Sequence, residues 1–364
     1  MSRLSELIIL VFLCGGLVAQ NPASQGPAVP SISTEPALNG AIIASLATST
    51  PGAKIYYTLD GSPPTASSEI YQAPFLVASS LTVKATASNS GNSFSSVATQ
   101  ILSPNISPGT LVWSDEFAYH GSAQPDPRTW TYDTGHSGFG NNEQETYCAA
   151  DSNESPCSVA QPSAAVGIEG QLHVTARQVS PGVYPSARLK SQGLFSFMYG
   201  RIEARMKLPE SQGIWPAFWL LGNNIATVDW PACGELDIME HINGNNSPFH
   251  TGGPAPGYDW VQSSIHGTGL DGGEPYHPAG FSAAEWHTYG MIWSKGKVQF
   301  YIDDPAHPYE TFTAGRMKGK WPFDQGPQFI LLNLAVGGKW PGPVDSTTAF
   351  PSEMLVDYVR IYTP

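Results

Sequence analysis

The sequence predicts an all-β protein, with a two-sheet antiparallel jelly-roll sandwich preceded by a smaller β-sandwich. Three observations carry that expectation. Period-two alternation recurs: in residues 201–208 (RIEARMKL), Ile202, Ala204, Met206 and Leu208 share one face and Arg201, Glu203, Arg205 and Lys207 the other. Glycine and proline, 37 and 32 of 364 residues, punctuate short runs rich in Ser, Thr and aromatics. No stretch sustains a 3.6-residue period over three turns, which excludes helical bundles and coiled coils.

Residues 1–19 read as a secretory signal peptide. The apolar run at 7–13 (LIILVFL) follows Arg3 and precedes the small residues Gly15, Gly16 and Ala19. It is too short to cross a bilayer, which takes roughly 20 apolar residues, and nothing later resembles a membrane span. Cys14 offers a lipid-anchored alternative, disfavoured by the bulky Leu13 before it. A freely secreted protein is therefore expected. Export permits disulfides, and Cys148 and Cys157, which bracket the polar stretch AADSNESP, are expected to pair. Cys233 is then left as a small apolar residue.

Residues 20–34 (QNPASQGPAVPSIST) have the composition of a linker. Residues 35–103 form the first domain. Its strand signals are KIYYTL at 54–59, leading into the turn dipeptide Asp60-Gly61, and LTVKATA at 81–87. Residues 104–109, with two prolines in SPNISPG, read as a hinge, and 110–364 as the second domain, with nine to ten strand signals. Alternation returns there at 297–303, 329–336 and 355–362.

Chemistry concentrates at Glu235-Leu236-Asp237-Ile238-Met239-Glu240. Three carboxylates interleaved with apolar residues suggest a buried strand that carries acids. Strict alternation puts Glu235 and Asp237 on one face and Glu240 on the other, so bringing all three together requires one extra residue, a β-bulge at Ile238 or Met239. The glutamates then stand an effective four positions apart. At about 3.3 Å per residue, and with two side chains leaning together, about 5 Å separates the carboxyl groups, the spacing of a retaining glycosidase. The acids alone are a weak motif. Trp215, Trp219 and Trp230 just upstream supply flat faces on which sugars stack. A calcium loop would want clustered oxygens and a glycine in place of alternating Leu, Ile and Met.

The segment GELDIMEH, with YGRIEARMKLP and GIWPAFWLLG before it, resembles glycoside hydrolase family 16 in its laminarinase-like branch. LVWSDEF, GNNEQETY, SARLKSQGLFSF, NLAVGGKWPG and VDYVRIY extend the resemblance across most of residues 110–364. It implies a concanavalin A-like jelly roll with a concave sugar cleft, acting on β-1,3- or mixed-linkage β-1,3-1,4-glucans by double displacement. Glu235 would be the nucleophile, Glu240 the general acid/base and Asp237 the assistant between them. Trp215 and Trp219 would line the cleft, Asn142 and Arg188 would contact sugar hydroxyls, and His266 would reach the acid/base side. A structural calcium ion would rest on Glu116, Gly170 and Asp357, and catalysis would need no cofactor. Residues 28–103, with YYTLDGSPPT, resemble the chitobiase C-terminal type of immunoglobulin-like module, read here as a spacer or stability unit.

The expected partner is a β-glucan polysaccharide and the expected state a monomer. With 17 basic against 30 acidic residues, a formal charge of −13, and no basic run, nucleic acid is excluded as a partner and sulfated polymers are disfavoured. A transglycosylase would keep every catalytic residue. A lectin-like binding protein would keep the tryptophans but has no need of Glu235 and Glu240 on one face.

Overall fold

The computed structural model describes residues 26–90, 93–118, 124–158, 162–248 and 259–364. The expected signal segment, with Cys14, lies outside the described residues. Among those described, helix is confined to Ile225–Val228 and two short 3-10 turns, and no helix is long and apolar enough to cross a membrane.

Two antiparallel sheets form the larger domain. One runs through Gln328–Val336, Ile214–Gly222, Glu235–Glu240 and Val261–Gly267, with Arg188–Lys190 also paired on Gln328–Val336. The other runs through Leu172–Ala176, Ser352–Tyr362, Gly200–Lys207, His287–Ser294 and Lys297–Ile302. Between them lies a continuous apolar core that includes Ile202, Ala204, Met206, Phe218, Leu236, Met291, Leu332 and Val356. Period-two patterning puts these side chains there: each strand turns alternate residues inward, and burying them removes apolar surface from water. There are more strands than the nine to ten that alternation reveals, because several, such as Ser196–Phe197 and Glu145–Tyr147, are only two or three residues long.

Two strands keep their expected faces but bury more than the alternation alone conveys. Glu203 lies on the face opposite the core, as the alternation predicts, yet it is only 5% exposed and takes a hydrogen bond from the Tyr301 hydroxyl at 2.5 Å and an ion pair from Arg201. The alternation read in 329–336 holds as alternating faces, with Ile330, Leu332, Leu334 and Val336 in the core and Phe329 and Leu331 in a second apolar cluster, so that all nine residues of Gln328–Val336 are buried.

The smaller domain pairs Ser31–Pro36, Ile42–Ala47 and Phe75–Val77 in one sheet and Lys54–Thr58, Glu69–Ile70, Leu81–Ser88 and Ala98–Leu102 in another. Its core holds Leu46, Ile55, Tyr57, Phe75, Val77 and Val83. The linker expected at 20–34 ends early, since Ser31–Thr34 pair with Ala44–Ala47. Asp60-Gly61 makes no two-residue hairpin. The Asp60 carboxylate accepts the Ser62 amide at 2.9 Å, and a longer loop leads to Glu69–Ile70.

The expected hinge is fastened to the larger domain. Thr363 donates its hydroxyl to the Ser107 carbonyl at 2.7 Å, and Ile106 packs on the larger core. Phe75–Val77 pairs in parallel with Ser196–Phe197, so one sheet passes from the first domain into the second. Ala41 and Leu76 of the small domain belong to the large domain's core.

Candidate active site

The site depends on a single displaced residue. Along Ile214–Gly222 the partners of the acid strand run Leu221 to Glu235, Leu220 to Leu236, Trp219 to Asp237, then Phe218 to Met239 and Ala217 to Glu240, so that Ile238 is skipped. The opposite neighbour skips at the same place, between Asp237 and Glu240. This is the expected bulge, located at Ile238. It reverses the parity of the strand, so Glu235, Asp237 and Glu240 all face one cleft while Leu236, Ile238 and Met239 remain in the core.

A buried hydroxyl holds the bulge in place. Ser263, fully buried, donates to the Ile238 carbonyl at 2.7 Å, and the Tyr309 hydroxyl lies 2.5 Å from Ser263 Oγ. The Ser263→Ala variant leaves that carbonyl without this partner and is expected to cost about 1–3 kcal/mol of stability. Chemical denaturation measures this, and an unchanged midpoint would refute the assigned role.

The cleft encloses about 840 Å³. Its floor follows from the same alternation: Trp215, Ala217, Trp219 and Leu221 come from one strand, Asn333 and Ala335 from the next, and Gln262, Ser264 and His266 from the third. Loops add Phe139, Asn141, Glu143, Trp230 and Trp340. The indoles are oriented by hydrogen bonds. Trp215 Nε1 donates to Glu240 Oε1 at 3.1 Å, and Trp219 Nε1 donates to Asn333 Oδ1 at 2.7 Å. Asn333 in turn donates to the Tyr147 hydroxyl at 3.2 Å, which donates to Glu143 at 3.1 Å. The Arg188 guanidinium lies 4.7 Å from the Trp219 ring centroid, with its Nε 2.9 Å from Asp133.

Three acids this close cannot all ionise freely. Burial first, then the Asp237 charge, pushes Glu235 up to about 8, while His266 and Arg188 draw it down. Burial and the neighbouring acids hold Asp237 and Glu240 well above the ordinary carboxylate range. Glu240 also accepts from Ser264 Oγ at 3.2 Å. His266 bridges two acids, with Nε2 3.2 Å from Asp237 and Nδ1 2.5 Å from Asp271. Ligand atoms of Glu235, Asp237 and His266 lie within 4.8 Å of one another, so this trio is also the place in the cleft where a metal ion would find three donors. His241, next in sequence to Glu240, faces away: it is fully buried, its Nδ1 is 3.0 Å from the Trp260 carbonyl, and burial lowers it to about 4.

Of the other expected site residues, Trp215, Trp219, Arg188 and His266 line the cleft, but His266 stands opposite Glu235 and against Asp237 instead of on the acid/base side, because it pairs with the start of the acid strand. Asn142 does not. It is exposed with φ of 57°, and Asn141 lines the cleft in its place. Cys148 and Cys157 form the expected disulfide, with Cα atoms 5.4 Å apart. The expected calcium ligands lie elsewhere. Glu116 takes a two-pronged hydrogen bond from Arg360 at 2.9 and 2.8 Å, Asp357 pairs with Arg205 at 2.8 Å, and Gly170 sits in a tight turn with φ of 76°. Asn333, Glu143 and Trp340 escaped the sequence reading as site residues. Asn333 had a signal, as the sole polar residue in FILLNLAV.

A cleft floored by indoles and armed with three acids on one bulged strand narrows the field to sugar chemistry, and comparison with known families decides it. Residues 130–360 match the model for glycosyl hydrolases family 16. The chain belongs to that family. Among family 16 relatives, a beta-glucanase of Rhodothermus marinus is 37% identical over 262 residues, covering 69% of this chain and 84% of that protein. A keratan-sulfate endo-1,4-beta-galactosidase of Sphingobacterium multivorum is 31% identical, over 69% of this chain and 54% of that one. The solved catalytic domain of an endo-1,3-beta-glucanase (laminarinase) from Thermotoga petrophila superposes with a TM-score of 0.58 at 36% identity, over 70% of this chain and 97% of that domain. Residues 35–99 match the chitobiase/beta-hexosaminidase C-terminal domain. This chain is thus a glycoside hydrolase, and family 16 hydrolases need no catalytic cofactor.

Proposed function

We propose that the protein is a secreted, retaining endo-β-glucanase that cuts β-1,3 or mixed β-1,3-1,4 linkages. The observation that carries this is the bulge at Ile238, which brings Glu235, Asp237 and Glu240 onto one tryptophan-floored cleft. Glu235, raised by burial but with Arg188 as well as His266 favouring its charged form, attacks the anomeric carbon as a carboxylate. Glu240 gives its proton to the departing glycosidic oxygen, so that bond breaks as the Glu235 ester forms. Esterification removes the Glu235 charge. Glu240, now a carboxylate, takes a proton from water, which attacks the same carbon and releases Glu235. Asp237 shares a hydrogen bond with Glu235 and steadies its orientation through both steps.

The β-glucan assignment is supported by the names of the Rhodothermus and Thermotoga proteins and by charge. A chain of net charge −13 repels a sulfated polymer such as keratan sulfate. Export is supported by the apolar run at 7–13 and agrees with the Cys148–Cys157 disulfide. A calcium ion fits the side chains poorly at Glu116, Gly170 and Asp357, because arginines already occupy both carboxylates. An ion there would rest on backbone carbonyls and would serve the fold, not the reaction.

The test is reducing-sugar release and product length on laminarin, barley mixed-linkage glucan and agarose. Release of mixed oligosaccharides from either β-glucan is the expected result and names the linkage. Activity confined to agarose, or none on all three, would overturn the substrate assignment.

A further inference from the structure

The small domain reaches into the catalytic cleft's own scaffolding. Gly222 ends one floor strand and Glu235 begins the next, and residues 223–234 between them form a loop whose Ile225, Trp230 and Pro231 line the cleft. Its stem is closed by the Gly222 amide on the Gly234 carbonyl at 3.0 Å. Its tip is Trp230, 58% exposed, with its ring 6.3 Å from His266 and its side chain donating a hydrogen bond to Glu235. The loop therefore touches the nucleophile from above.

Two contacts fix the first turn of this loop. The Asn223 amide donates to the Pro327 carbonyl at 3.1 Å within the large domain. Asn224, 5% exposed, donates its side-chain amide at 2.7 Å to Glu69 Oε1, which belongs to the small domain. Asn224 also starts the short helix Ile225–Val228, its carbonyl accepting the Thr227 and Val228 amides at 2.8 and 3.1 Å. Glu69 is half-buried and packs close over Gly326, where a Cβ would come within 3.1 Å of Glu69 Cγ. An acid brought out of water at a domain boundary is costly unless a donor meets it, and Asn224 is that donor.

We propose that Glu69 is a positioning residue for the reaction: through Asn224 it sets the loop that carries Trp230 over the cleft, making the small domain a working part of the substrate site. The sheet that runs from Phe75–Val77 into Ser196–Phe197 ties the two domains together by backbone pairing beside this contact. That the loop serves glucan binding rests on the function proposed above. That Glu69 orders the loop does not.

The experiment uses the full chain. Glu69→Ala is expected to speed hydrogen exchange of the amides in residues 223–234 about tenfold, the loss of one hydrogen bond to a charged group, while exchange in Glu235–Glu240 stays unchanged. KM for laminarin is expected to rise several-fold with kcat altered less, and Glu69→Gln, which still accepts from Asn224, is expected to restore both. Should Glu69→Ala fail to fold, Asn224→Asp breaks the same contact by setting two acids against each other. Unchanged exchange in residues 223–234 overturns the proposal, even for a protein that degrades no β-glucan; that second result alone would sink the glucanase reading instead.

Discussion

Glu235→Gln is expected to lower kcat on β-glucan by roughly four orders of magnitude with the fold intact, because the amide cannot form the glycosyl ester. Glu240→Gln is expected to be as damaging on polysaccharide but far less so on an aryl glycoside, whose leaving group departs without a proton. Added azide separates the two roles by stereochemistry. In Glu235→Ala, azide fills the space of the lost carboxylate and attacks in its place, giving the inverted, α-configured glycosyl azide. In Glu240→Ala, azide replaces the water of the second step and gives the β-configured azide. Nuclear magnetic resonance of the products distinguishes them, and the reverse pairing would show that nucleophile and acid/base are exchanged.

Asp237→Asn is expected to lower kcat roughly 100-fold and to move the pH profile as well. Asp237 is 3% exposed, and after burial its charge is the main cause of the rise of Glu235 to about 8. The sign follows from the chemistry: kcat/KM rises with pH as Glu235 loses its proton, so removing a neighbouring negative charge lowers that pKa and shifts the acidic limb to lower pH. Arg188→Met should move the limb the other way, since the guanidinium helps to hold Glu235 ionised. A profile that stays in place in both variants would mean that another group controls the limb.

Much of this site was legible because strand periodicity is a local property. GIWPAFWLL read with period two places Trp215, Ala217, Trp219 and Leu221 on one face, and those four residues floor the cleft. The need for a bulge was also legible, since three acids on one face violate that period. Which of the two expected positions, Ile238 or Met239, would carry it was not, because the Ile238 carbonyl is held by Ser263, 25 residues away. Asn142 misled for the opposite reason. Phe139 and Asn142 both adopt positive φ, so the loop obeys no alternation, and Asn141 is turned to the cleft instead. The burial of Glu203 was not legible because Tyr301, which donates to it, lies on another strand 98 residues away. Glu69 carried no signal at all: its partner is 155 residues away, in another domain.

The sheet shared by the two domains also bears on solubility. Without the small domain, Ser196–Phe197 would end the large sheet on that side and offer unpaired backbone groups to any passing strand. Pairing with Phe75–Val77 closes that edge and moves the border of the sheet outward to Ser31–Pro36, a short strand of mostly exposed Ser, Thr and Glu residues that ends in proline. Such a border resists recruitment, because a proline cannot donate to a new ladder and a charged residue beside it disfavours stacking. The first domain thus covers a two-residue stretch of backbone that the catalytic domain alone would leave open at this edge.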